Sequence, residues 1–101
     1  MLKLSIKTEQ VLKVVFLSEH QDEARDLIES ECGQNIPDCK SRNSEEMERI
    51  RFSVLKISEG DLDKLCEAID LAQTDWRDLL MAAGFGHDTA EHKRWYKSLI
   101  G

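Results

Sequence analysis

The chain has little of what marks most small functional scaffolds. It has one proline, Pro37, five glycines, three cysteines and six aromatic residues among 101. Few prolines and few aromatics argue against a strand-rich fold with many sharp reversals. An odd number of cysteines, Cys32, Cys39 and Cys66, argues against a disulfide framework and for free thiols in a reducing compartment. Long apolar runs are missing too. The longest uncharged stretch, Leu79 to His87, is nine residues, and a membrane-spanning helix needs about 20. After Lys3 and Lys7 the next apolar run is Val14 to Leu17, against the roughly 7–15 residues of a secretory core. The expected location is therefore cytoplasmic, with no membrane association. A surplus of base is also lacking: 14 Lys and Arg stand against 20 Asp and Glu, a net charge of −6. That argues for solubility and against a nucleic-acid footprint.

What is present points to one helical domain spanning 1–101, since two domains would each be too small to bury a core. A hydrophobic share of 41% supplies that core. The one loop-like segment, 33–43, reads GQNIPDCKSRN and separates a shorter N-terminal part from a helix-rich C-terminal part.

Before the loop, Ser18 is placed to cap a helix, with Gln21 at the capping-box position. Ala24, Leu27, Ile28 and Cys32 follow at helical spacing, and Gly33 supplies a left-handed stop. Residues 9–17 are expected to be helical, although Val14, Val15 and Phe16 favour a strand and Leu2, Leu4 and Ile6 alternate. After the loop, Ser44 opens a segment with acids in its first turn and Met47, Ile50, Val54 and Ile57 at helical spacing. Its competing strand reading has Ile50, Phe52 and Val54 in alternation. Ser58 is read as the cap of a helix carrying Leu62, Leu65, Cys66 and Ile69. Thr74 is read as the cap of another, with Trp76, Leu79, Leu80 and Ala83 on one face and Gly84 as its stop. Thr89 is read as the cap of the last, with His92, Trp95 and Leu99 aligned. The expected fold is a mainly α bundle of four to six short helices. The alternative is α+β, with strands in 1–17 or at 50–57. Leu62, Leu65, Ile69, Leu79 and Leu80 are the expected core, with Trp95 pinning the final helix. Cys32 and Cys66 are expected to be buried, and Cys39 to be reactive in the loop.

Motifs of chemistry are sparse. No Walker loop and no GxSxG occurs. Gly84-Phe85-Gly86 follows a helix and lacks a third glycine, which fits a helix stop better than a dinucleotide loop. Cys32 and Cys39, and His87 and His92, do not match common zinc spacings. The expectation is no enzyme activity, no cofactor and no metal.

Charge pattern is the informative feature. Between Glu19 and Glu31 there are six acids and one base, Arg25. Between Glu59 and Asp78 there are seven acids against Lys64 and Arg77. Solvated helix faces explain such runs, and a docking surface for a basic protein partner is the functional alternative. The residues that would meet such a partner are Glu19, Asp22, Asp26, Asp63 and Asp70, with Tyr96 as an aromatic anchor beside an inward Trp95. A helix-turn-helix over 59–83 is a competing reading, opposed by Asp75 and Asp78 where a recognition helix needs basic and amide groups. An accessory subunit of an enzyme is a third.

The stretch DWRDLLMAAGF from Asp75, followed by HKRW at His92 to Trp95, together with ECGQNIP at Glu31 to Pro37, resembles a family of small uncharacterised bacterial proteins with a similar C-terminal signature. The resemblance covers mainly residues 44–95. It implies a bacterial cytosolic protein and carries no activity, cofactor or site residue.

Overall fold

Phe52, Val54 and Leu55 lie at the centre of the molecule, in a helix wrapped on nearly every side. The computed structural model describes residues 3–34, 36–37 and 43–101. Among them run five helices and no strand: α1 Ile6–Val15, α2 Ser18–Glu31, α3 Ser44–Ser58, α4 Leu62–Ala83 and α5 Glu91–Ile100. The mainly α expectation holds, and both contested segments are helical. In α1, Ser5 Oγ accepts from the Thr8 amide at 3.1 Å, and Thr8, Val11 and Leu12 point inward at helical spacing. Burying that face outweighs the strand preference of the valines. Leu2, part of the expected alternation, lies outside the described residues, as do Cys39 and most of the loop after Gly33.

The helices begin one or more residues away from the expected caps. Leu17 precedes α2 without a side-chain cap, and Gln21 instead donates to the Phe16 carbonyl at 3.1 Å. Cys32, not a left-handed Gly33, ends that helix, with φ −122°. Asn43 caps α3, its side chain accepting from Glu46 at 2.8 Å. Ser58 closes α3 rather than opening the next helix, and its hydroxyl donates to the Leu55 carbonyl at 2.7 Å. Asp61 caps α4, accepting from Asp63 and Lys64 at 2.8 and 3.1 Å. A carboxylate is the stronger acceptor at a helix start and wins that position.

The two helices expected around Thr74 are the two halves of α4, which meet at a kink: Asp75 is non-helical (φ −153°, ψ 86°), and its Oδ1, rather than the Thr74 hydroxyl, caps the second half by accepting from the Asp78 amide at 3.3 Å. Among the described residues, 62–83 therefore contains no three- or four-residue turn of the helix-turn-helix kind. Gly84 does end α4 in the left-handed region, at φ 82°. Before α5 the Asp88 carboxylate, not Thr89, accepts from the Ala90 amide at 2.8 Å.

One apolar cluster draws on all five helices. Leu65, Ile69, Leu79 and Leu80 are buried as expected, and Leu62 is half-buried. Trp95 is half-buried against Phe52 and Phe85, both with centroids at 5.9 Å. Cations of α3 tie the ends of other elements together. Arg49 donates to the Phe85 carbonyl, and Lys56 donates to the Ala83 carbonyl at 2.7 Å. The buried Arg51 donates to the carbonyls of Cys32 at 2.9 Å and Lys3 at 2.8 Å. Positive charge at carbonyl-rich helix ends complements the dipole. Among the described residues no helix is long and apolar enough to cross a membrane.

Candidate functional site

Helices α2 and α4 pack side by side, and Gln73 Nε2 locks them by donating to the Glu31 carbonyl at 2.7 Å. A groove of about 190 Å³ runs between them, lined by Leu27 and Glu31 from α2 and by Cys66, Ile69, Asp70 and Gln73 from α4. The spacing explains the lining. Leu27 and Glu31 are four residues apart, one above the other on the flank of α2. Cys66, Ile69, Asp70 and Gln73 recur at three, one and three along α4. Glu23 stands one turn before Leu27, and Asp63 one turn before Cys66. The groove thus has an apolar floor and carboxylates on both walls.

Cys66 is exposed, contrary to its expected burial. The inward stripe of α4 is Leu65, Ala68, Ile69 and Ala72, which leaves Cys66 beside the stripe on the groove side. Its thiol is pushed up by partial burial and then by Asp63, Asp70 and Glu23. Three carboxylates from two helices therefore act on one point. A thiol held protonated is a poor nucleophile. Cys32 is fully buried, as expected, and burial pushes its thiol up to about 12.

Of the acids singled out in the sequence, Asp70 lines this groove and Asp63 stands one turn before its Cys66. Asp22 does neither. It accepts from Arg25 at 2.8 Å on the opposite flank of α2, where Arg25 also holds Glu9 at 2.5 and 3.0 Å. That pairing holds Glu9 below the usual carboxylate range. Glu19 sits at the start of α2, 3.8 Å from His20 Nε2. Asp26 is exposed one turn on from Glu23.

Tyr96 is remote from the groove and is no free anchor. It is half-buried, stacks on Phe52 with centroids 5.8 Å apart and planes 11° apart, and donates to Gln10 Oε1. Neighbouring Trp95 and Tyr96 both pack inward because α5 lies in the notch between α1 and α3 and buries two adjacent flanks.

Glu23, Leu27, Glu31, Cys66 and Gln73 complete the site and were not singled out as contacts. The four-residue ladder Glu23, Leu27, Glu31 was the available signal. Among the described residues no group of three His, Cys, Asp or Glu side chains could hold a metal ion. No protein-family model, curated protein or solved structure matches the chain.

Proposed function

We propose that the protein is a non-enzymatic interaction module that takes a basic protein partner across the α2–α4 groove. The observation that carries this reading is the groove with Asp70 in its wall and Asp63 and Glu23 one turn beyond its lining, all three acting on the Cys66 thiol and none of them in an ion pair among the described residues. Several other carboxylates are neutralised within the chain: Glu9 and Asp22 by Arg25, Glu45 by Lys93, and Asp88 and Glu91 by Arg94. Uncompensated like charge held together favours an oppositely charged ligand and speeds its approach. At about 190 Å³ the groove is smaller than the roughly 300–1,000 Å³ of small-molecule sites. It suits side chains of a protein surface. Free Cys32 and Cys66 thiols support a cytoplasmic setting, and the resemblance in the C-terminal signature supports a bacterial one.

The test is affinity capture from the native host, with nuclease, at low and high salt, using the wild type beside a Glu23→Gln/Asp63→Asn/Asp70→Asn variant. A groove partner survives nuclease, weakens with salt and is lost from the variant. Retention of the same partners by the variant would overturn the reading.

A further inference from the structure

A partner for the groove must carry both positive charge and apolar surface, and the outer face of α1 carries both. Ile6, Lys7, Gln10, Lys13 and Val14 recur at one, three, three and one, which aligns them along one side of the helix, and Leu17 follows in the extended turn just beyond its end. Ile6, Val14 and Leu17 are 81%, 54% and 68% exposed. Lys7 and Lys13 are exposed and make no ion pair among the described residues; Lys7 Nζ lies 5.5 Å over the Tyr96 ring. The one acid of α1, Glu9, is turned to Arg25. A chain of net charge −6 thus presents one helix face that is basic and apolar.

We propose that the groove is occupied by the α1 face of a second copy of this chain, in a head-to-tail arrangement. This rests on the reading of the groove as a docking surface and names its occupant. Lys7 and Lys13 are about 9 Å apart along the axis of α1, and Asp63 and Asp70 about 10 Å apart along α4. Two cations therefore match two carboxylates, while the apolar side chains of the stripe cover Leu27, Cys66 and Ile69. Self-docking within one chain is barred by geometry. Helix α1 rests on the flank of α2 that carries Arg25, whereas Leu27 and Glu31 face α4 on the other flank. Each copy then offers one donor face and one acceptor groove, a heterologous contact that can propagate.

The experiment is sedimentation of the full chain with two variants, both altered only at exposed positions and both checked for helix content. One is Lys7→Gln/Lys13→Gln, which keeps the groove. The other is Glu23→Gln/Asp63→Asn/Asp70→Asn, which keeps the stripe. The wild-type mass should rise with concentration beyond that of one chain, and fall back in about 1 M salt, where charges are screened within about 3 Å. Each variant alone should stay monomeric. Their equimolar mixture should form a complex that stops at two copies, because one lacks a donor and the other an acceptor. A wild type that stays monomeric overturns self-docking. In that case, loss of a captured basic protein from the groove variant would leave the groove reading standing. If the wild type associates and the groove variant associates equally well, both fall. A mixture that stays monomeric overturns the head-to-tail contact.

Discussion

The imidazole of His92 stands edge-on to the ring of Phe52, with 5.8 Å between centroids and 62° between planes. Phe85 approaches at 6.3 Å from another side. His92 is the one fully buried residue of α5, and neither ring nitrogen has a hydrogen-bond partner. A neutral imidazole tolerates this setting far better than an imidazolium does.

Stability should therefore fall with acid through His92. Burial first, then the Arg49 guanidinium, holds its pKa below the ordinary 6.5. The unfolded chain takes up the proton before the folded chain does. The contribution is fully present above about 6.5 and is lost as pH falls below it. Urea midpoints should drop between about pH 7 and about pH 5. His92→Leu should flatten that slope. An unchanged slope in the variant would assign the acid sensitivity to other groups. Glu9, held low by Arg25, adds its own loss only at lower pH, as it is protonated.

Arg51 should be among the most sensitive polar positions. Its guanidinium joins the end of α2 to the N-terminal segment through the Cys32 and Lys3 carbonyls. Arg51→Met would strip both and should cost about 2–5 kcal/mol in urea unfolding. Arg51→Lys should not restore the loss, because one ammonium does not reproduce the planar fork. Full stability in Arg51→Lys would show that charge alone suffices.

The two described thiols should react very differently. Cys32 should be protected until the chain unfolds, and Cys66 should react with a thiol reagent in the native state. The Cys66 rate should rise with salt and in Glu23→Gln/Asp63→Asn/Asp70→Asn, because both relieve the acids that oppose its thiolate. A salt-independent rate would mean that these carboxylates do not act on the groove floor.

Gly60 should resist substitution. Its φ is 80°, and a Cβ there would lie 2.6 Å from the backbone oxygen of Val15. Gly60→Ala meets a left-handed backbone and a clash with an atom that cannot rotate away. A loss of about 1–3 kcal/mol is expected. A melt within about 0.5 kcal/mol of wild type would show that the α3–α4 turn can open at little cost.

Helix content was legible in the sequence because it is local. Leu65 and Ile69, or Ala24 and Ile28, recur at the period of one helix whatever surrounds them. Caps were legible only approximately. Ser44, Ser58, Thr74 and Thr89 each lie within three residues of an Asn or Asp, and the choice between them depends on which backbone amides are left unsatisfied when the chain packs.

Which flank each helix turns to which neighbour lay beyond the sequence. The acid run of α2 reads as one polar face, yet packing gives Asp22 to Arg25 and Glu9 on one side and sets Glu23 towards α4 on the other. The buried Arg51 looks in sequence like a surface cation. It is satisfied by carbonyls 19 and 48 residues away, and only the assembled bundle brings them within reach. Periodicity and charge along the chain decided that the protein is helical and acidic. The tertiary structure alone decided that its carboxylates meet over an apolar groove, because a helix carries its side chains all around its axis and only packing selects which of them face one another.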